Sequence, residues 1–333
     1  MSRYAGRDEI QRAVNLHATG MSHVAVARAM NKARPTVQGW LRAGGIAARS
    51  GITPKVETVV EVEPPVHKVR VRVPAPSVPG AATRVLAVGD SHDSPLLEDK
   101  SRFRAMGRFA KERGISHVIQ IVDFGDFDSV SNHVAADTIE GKLNNPYLKD
   151  IDSLNYALDA FNEGLGGLNV ARHITLGNHE RRVYIYENQH PQTEGMLTGK
   201  LERAFKDHGW TSTPYGSFHF LAGVGFTHCA LNRLGKSYGG KTAERSIALD
   251  AVFDIVIGHS HVRGDHRATK IGPQKHVTVL NLGCALPTGY TQKYVYHGQM
   301  AGWWYGIYEL TIQGGQITGA NAIPMDELLR THG

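Results

Sequence analysis

Cysteine is nearly absent: Cys229 and Cys284 are the only two in 333 residues, so no disulfide framework holds this chain together. Long apolar runs are missing as well. No stretch approaches the roughly 18 consecutive apolar residues of a membrane span, and Met1 to Arg12 lacks the apolar core of a signal peptide. A reducing cytoplasm and no membrane partner are the expectation. The net charge is only +6, but it sits in one place. Residues 1–50 carry eight basic side chains (Arg3, Arg7, Arg12, Arg28, Lys32, Arg34, Arg42, Arg49) against Asp8 and Glu9, which accounts for the whole excess. That asymmetry points to an N-terminal module facing an anionic partner, nucleic acid first. An apolar content of 41% leaves room for one large domain with a sizeable core beside a small one.

The front segment reads as three short helices. Arg7 to Thr19 sets Ile10, Ala13, Val14 and His17 on one face, and Gly20 ends it. Ser22 caps a second helix to Met30, with Val24, Ala27 and Met30 inward. After the turn Asn31-Lys32-Ala33, a third begins near Arg34-Pro35, where proline is tolerated. Val37, Trp40 and Leu41 are available to its core, and Thr36, Gln38 and Arg42 face outward. This arrangement, over 1–45, resembles the helix-turn-helix modules of resolvases and other homeodomain-like binders. The resemblance implies that the third helix lies in the major groove, with Arg34 and Gln38 at base edges and Lys32 and Arg42 on phosphates. One copy binds weakly, so a homodimer or a second contact from the large domain is expected.

Residues 46–83 hold Val59 to Pro65 and Pro74 to Gly80, a composition that blocks helix and central strand. An extended tether is expected, reaching roughly 30 Å or more. His67 to Val73 alternates basic residues with valine and could add an edge strand. From Arg84 the pattern turns α/β. Strands are expected at Arg84 to Val88, His117 to Val122 and Val170 to Leu176, and helices at Ser101 to Arg113 and Asp152 to Gly164. A hairpin Phe218 to His228, a helix Ala243 to Val252 and strands at Asp254 to Gly258, Val277 to Leu282, Trp303 to Ile312 and Ile317 to Ile323 complete the reading. Strand–helix alternation early and hairpins late suggest two packed mixed sheets.

Short polar clusters close the apolar runs: Asp90-Ser91-His92, Asp123-Phe124-Gly125-Asp126, Gly177-Asn178-His179-Glu180, Thr227-His228 and Gly258-His259-Ser260-His261. The third sits where a strand gives way to a loop. Carboxylates, imidazoles and one amide repeated at strand ends are the ingredients of one converging metal site. Two divalent ions about 3.5–4 Å apart need a bridging carboxylate and several neutral ligands each. Mixed nitrogen and oxygen donors suit manganese, iron or zinc better than magnesium or calcium. Gly235 to Thr242 matches the P-loop pattern literally, yet Cys229 to Leu234 separate it from the preceding strand, so nucleotide triphosphate binding is not expected. A glycine-rich loop before a helix remains able to hold a substrate phosphate.

Taken in order, the five clusters resemble the blocks of calcineurin-like metallophosphoesterases, over about Arg84 to Met325. With the helical front end, and with Asp126-Phe127-Asp128-Ser129, the chain resembles the helix-turn-helix metallophosphoesterases that phages encode, which would place it in a host cytoplasm. The resemblance implies an α/β four-layer sandwich of two mixed β-sheets flanked by helices over 84–326, behind the small all-α domain, with 327–333 as a tail. It also implies two divalent transition metal ions, manganese first and iron or zinc as alternatives. Asp90, His92 and His261 would hold one, Asn178, His228 and His259 the other, with Asp123 bridging. A hydroxide held by the metals would attack phosphorus in line, while His179, oriented by Asp126, protonates the leaving oxygen.

Two departures matter. The family's usual Gly-Asp is Val122-Asp123 here, and Gly125-Asp126 offers a register in which Asp126 bridges instead. Asp123 is favoured because it directly follows the strand. The arginine that protein phosphatases carry after the second aspartate is Phe127 here, which weakens a phosphoprotein reading. Arg181, Arg182 and His133, in or near the motif loops, are candidates to meet a phosphodiester backbone. The function implied is a DNA-directed phosphodiesterase, a nuclease or DNA-end processing enzyme. A phosphatase or cyclic-nucleotide phosphodiesterase with a localising DNA module is the alternative among enzymes. A DNA-binding regulator with an inactive phosphoesterase domain is the alternative outside them.

Overall fold

Val85, Leu86, Ala87 and Val88 are all fully buried, so the first strand of the large unit is enclosed on both faces over its last four residues. A strand apolar on both sides belongs to a central parallel layer covered from above and below. The computed structural model describes residues 7–19, 21–33, 36–37, 39–41, 81–131, 146–240, 242–272, 275–292, 295 and 302–333. The chain divides into two compact units, Met1–Lys68 and Val69–Gly333.

In the first unit, α1 (Arg7–Ala18) and α2 (His23–Ala29) are followed by helical residues 36–37 and 39–41. Ser22 caps α2 by accepting a 3.3 Å hydrogen bond from the Ala25 amide. Ala13, Val26, Ala27 and Val37 form the core, flanked by Leu16, Met21, Met30, Trp40 and Leu41. Two inward assignments change. Val24 points outward and Val26 is buried, while His17 is exposed and Leu16 packs in its place. So small a core admits only a narrow stripe of each helix. Arg34, Gln38 and Arg42, expected on DNA, lie outside the described residues, as do the expected edge strand His67 to Val73 and most of the tether.

The second unit holds two mixed sheets. The first has the order β11-β10-β1-β2-β3-β4, where β1 is Thr83–Val88, β2 His117–Val122, β3 Ala171–Leu176, β4 Thr211–Thr213, β10 Gly306–Gln313 and β11 Gln316–Pro324. Strands β1 to β4 run parallel, and β10 and β11 add an antiparallel border. The second sheet has the order β5-β6-β7-β9-β8, with β5 His219–Leu221, β6 Val224–Phe226, β7 Ile255–Ile257, β8 Arg263–Thr269 and β9 His276–Leu282. Strands β6, β7 and β9 are parallel, with antiparallel edges on both sides.

Alternation along β1 and β2 divides the core into layers. Val85, Ala87, Ile119 and Ile121 pack with Val224, Phe226, Val256 and Leu280 between the sheets. Leu86, Val88 and Val118 face the other way, onto α3 (Ser101–Glu112) and α4 (Tyr147–Leu165). On the outer face of the second sheet, α7 (Ala243–Asp250) buries Ile247 and Ala248 against Ile255, Ile257 and Val279. The order helix, sheet, sheet, helix is the four-layer arrangement expected.

Several elements differ from the sequence reading. α4 begins at Tyr147 rather than Asp152. The segment after Gly177, expected as a loop, is α5 (Asn178–Gln189), and α6 (Thr198–Asp207) follows. The residues read as a tail belong to α8 (Met325–His332), which buries Met325 and Leu328. β8 was not expected because its sequence, RGDHRAT, is polar; it pairs only with β9 and is an edge strand, where charge is tolerated.

Candidate metal centre

The parallel strands deliver their polar clusters to one side of the unit, since their C-terminal ends coincide. Asp90 lies two residues beyond β1, Asp123 directly beyond β2, Asn178 two beyond β3, His228 two beyond β6 and His259 two beyond β7. The loops are locked to one another. The amides of Ser91 and His92 donate to the Asp123 carbonyl at 3.1 and 2.9 Å, and the His259 amide donates to Asp90 Oδ2 at 2.8 Å. At Gly177 any Cβ would collide with Asp123 Oδ1 and the Val122 carbonyl, so the third cluster approaches the second only because this position lacks a side chain. His92, His259 and His261 adopt left-handed backbone conformations, with φ of 41°, 77° and 59°. Each costs roughly 1–3 kcal/mol and persists only where the surroundings impose it.

Two groups of donors result. In one, His92 Nε2 lies 2.8 Å from His261 Nε2, which lies 3.3 Å from Asp90 Oδ2. In the other, His228 Nε2 lies 3.0 Å from Asn178 Oδ1, 3.1 Å from His259 Nδ1 and 3.6 Å from Asp123 Oδ2. Asp123 Oδ2 also stands 4.0 Å from His92 Nε2, so it lies between the groups. Two imidazole nitrogens facing each other at 2.8 Å share at most one proton. The same spacing suits the edge of a coordination shell, because donors bonded at about 2.1 Å to one ion stand about 3 Å apart. Apart from His259, the His and Asp residues of both groups are buried. The residues therefore form His and Asp clusters able to hold a metal ion.

The electrostatics are those of charges crowded out of water. Burial, with the neighbouring His261, holds the His92 imidazole down to about 3. Burial also lowers His179 well below its usual value, with His92 and Arg182 adding to it. Burial would lower His228 too, but the carboxylates of Asp123 and Asp90 outweigh it and push that ring up to about 9. Burial raises Asp126 to about 8 against the opposing charge of Arg182, and raises Glu180 to about 8 with help from Asp123.

Asp126 lies against both His179 and His92, its carboxylate 3.5 Å from His179 Nδ1. The Asp126 carboxylate meets His92 Nδ1 at 2.7 Å, behind the nitrogen that faces the site. The Asp126 backbone carbonyl meets His179 Nδ1 at 2.9 Å. Arg182 donates to that same carbonyl at 2.8 Å and faces His179 Nε2 at 2.9 Å. Arg181 is exposed, with its guanidinium 5.1 Å from the centre of the Tyr215 ring. His133 lies outside the described residues. Lys241 of the P-loop-like segment lies outside the described residues, and the described part before it does not leave a strand directly. Leu231 and Ser237 pair across a small hairpin, closed by Asn232 Oδ1 accepting from the Leu234 and Lys236 amides.

Two residues given no role by the sequence hold the site together. Glu180 is fully buried; its Oε1 accepts from the Phe124 and Gly125 amides at 2.8 and 3.1 Å, and its Oε2 from the Gly177 amide at 2.9 Å. It thereby ties the second cluster to the third. Spacing hinted only at the Gly177 bond, since Glu180 stands three residues after the cap of α5. Arg102, 2% exposed, donates to the Ser91 carbonyl at 3.0 Å and to Asp93 Oδ1 at 3.3 Å, bracing the first cluster from behind. Asp93 is also held by Lys100 and Ser153, both at 2.7 Å.

No protein-family model matches the chain, and no curated protein does. Among solved structures, an archaeal phosphodiesterase is similar, at 13% identity over 72% of this chain and 100% of that one, with a TM-score of 0.38. YfcE, a phosphoesterase from E. coli, is similar at 15% identity over 72% and 100%, with a TM-score of 0.31. Vps29 from Entamoeba histolytica, solved with zinc, is similar at 14% over 73% and 99%, with a TM-score of 0.27.

Proposed function

We propose that this chain is a dimetal phosphoesterase directed to DNA, hydrolysing phosphodiester bonds as a nuclease or DNA-end processing enzyme. The observation that carries the reading is the pair of donor groups meeting at Asp123, one closed by the 2.8 Å approach of His92 to His261 and the other gathered around His228. Manganese suits this mix of imidazole, amide and carboxylate, with iron or zinc as alternatives. When bound, two such cations polarise the phosphoryl oxygens and make the attacking water more acidic.

The chain's own residues do the remaining work. Asp123 keeps the donor groups in register, and with Asp90 it supplies only two negative charges, which leaves the loaded site attractive to an anionic ester. Asp126 fixes which nitrogen of His92 faces inward. His179 Nε2 stands 3.7 Å from Asp123 Oδ2, with the Arg182 guanidinium 2.9 Å from that nitrogen, and we assign this side to the leaving oxygen. There the fixed positive charge of Arg182 stabilises developing negative charge on the leaving oxygen, and His179 passes it a proton only from its protonated form. The exposed Arg181 is free of the metal donors and suits a phosphodiester backbone. Phe127 is buried and offers no clamp for a phosphate, which weakens a phosphoprotein reading.

In this reading the first unit is a helix-turn-helix module of the kind phages encode, working in the cytoplasm as a homodimer or beside a second contact. Incubating the full chain and Mn²⁺ with plasmid, linear duplex and a chromogenic phosphodiester tests the proposal. Cleavage of DNA that Asn178→Ala abolishes is the expected result. Turnover of the small ester alone would move the chain to the phosphatase or cyclic-nucleotide class. No turnover of any of the three substrates would leave a DNA-binding regulator.

A further inference from the structure

The hairpin that imitates a P-loop does not sit idle. Between it, α7 and the end of β7 lies a cleft of about 240 Å³ that opens beside His259. Its inner wall is apolar, built from Ala230, Ile247 and Ile257, and Ser237 and Gly239 form part of its outer edge. Asn281, 1% exposed, also lines it. The Asn281 amide nitrogen is fully used, donating to Glu244 Oε1 at 2.6 Å and Ser260 Oγ at 2.7 Å. Those two acceptors fix the orientation of the amide. Its Oδ1 is left without a hydrogen-bond partner among the described residues. A buried acceptor in that state costs free energy until a donor reaches it.

We propose that this cleft is a base subsite: it takes one unpaired nucleobase of the ester whose phosphate lies on the metal donors. The inference rests on the phosphoesterase reading for the position of that phosphate. Apolar walls suit the faces of a planar ring, and the unused Asn281 carbonyl suits a ring N–H or exocyclic amine. A base held in a duplex presents neither its faces nor its pairing edge, so the subsite selects single-stranded ends, extruded bases or mononucleotide esters.

The test uses the full chain loaded with Mn²⁺ and compares equilibrium binding of AMP with that of inorganic phosphate. AMP is expected to bind at least tenfold tighter. Gly239→Leu fills the cleft: the backbone there is not left-handed, and a Cβ meets nothing within 4 Å. Ser237→Phe fills it independently, should the first variant fail to fold. Either is expected to erase the advantage of AMP over phosphate. Equal affinity in the unaltered protein, or an advantage that survives both fillings, overturns the subsite. Turnover of a chromogenic phosphodiester is measured in parallel. Turnover without the AMP preference removes the subsite and leaves the enzyme; an AMP preference without turnover removes the enzyme and leaves the subsite.

Discussion

Asp123 and Asp126 stand three positions apart in sequence and do different jobs. Asp123 Oδ2 faces both donor groups, at 3.6 Å from His228 Nε2 and 4.0 Å from His92 Nε2. The Asp126 carboxylate lies behind His92, on Nδ1. Asp123→Asn is therefore expected to lower the metal content of the protein and to cut turnover by more than the loss of a supporting residue does. Asp126→Asn loses only the support of one ligand, which typically weakens metal affinity by about 10–100-fold. Elemental analysis of both purified variants checks the contrast, and the reverse ranking would transfer the bridge to Asp126. At this scale the convergence of the His, Asp and Asn clusters was legible because those residues at the ends of apolar runs have few structural uses in common. The parts played by Glu180 and Arg102 were not. Their partners are backbone groups of Phe124, Gly125 and Ser91, and no sequence pattern announces a backbone partner that far along the chain.

Strands β2 and β3 were readable almost to the residue, since Val118, Ile119, Ile121 and Val122 in one and Ile174 and Leu176 in the other supply buried apolar positions just before a polar cluster. α5 was not, because its opening, Asn-His-Glu-Arg-Arg, is a polar face dictated by the site rather than by packing. One feature of element packing carries a pH dependence. His173 on β3 and His219 on β5 stack at 3.6 Å, joining the two sheets away from the metal donors. Both nitrogens of His173 are engaged by Thr211 and Thr213, at 2.7 Å each. Burial lowers His173 to about 3, with His219 contributing, and lowers His219 to about 4, with His117 contributing. Unfolded histidine titrates near 6.5, so as pH falls below that value the unfolded chain takes up protons that the folded pair refuses. The stability is complete above about pH 6.5 and drains away toward pH 4, by at most about 1.4 kcal/mol per pH unit for each ring. Denaturation midpoints at pH 7, 6 and 5 should fall less steeply for His219→Phe, which keeps a stacked ring and removes the proton. An unchanged slope would place the acid sensitivity elsewhere.

Across the whole molecule, charge and chemistry are divided between segments. The positive excess lies in residues 1–50, while the metal donors lie from Asp90 onward. That division was plain from composition, whereas the partner of Lys32 was not. Its ammonium pairs with Glu9 at 3.0 Å and lies 5.7 Å from the centre of the Trp40 ring. Both partners of the ion pair are well exposed, so the pair is weak and screened, and a phosphate can replace Glu9 at little expense. If Lys32 and Arg42 each neutralise one phosphate, the logarithm of duplex affinity should fall with the logarithm of salt at a slope of about −2. Lys32→Ala and Arg42→Ala, each in the full chain, should flatten that slope by about one and weaken all sequences alike. Arg34→Ala should instead narrow the gap between a preferred duplex and a random one. Titration of labelled duplexes between about 50 and 200 mM salt reads all three. A flat response in the unaltered chain would detach the basic segment from DNA, and the strand-end site would then have to find its substrate unaided.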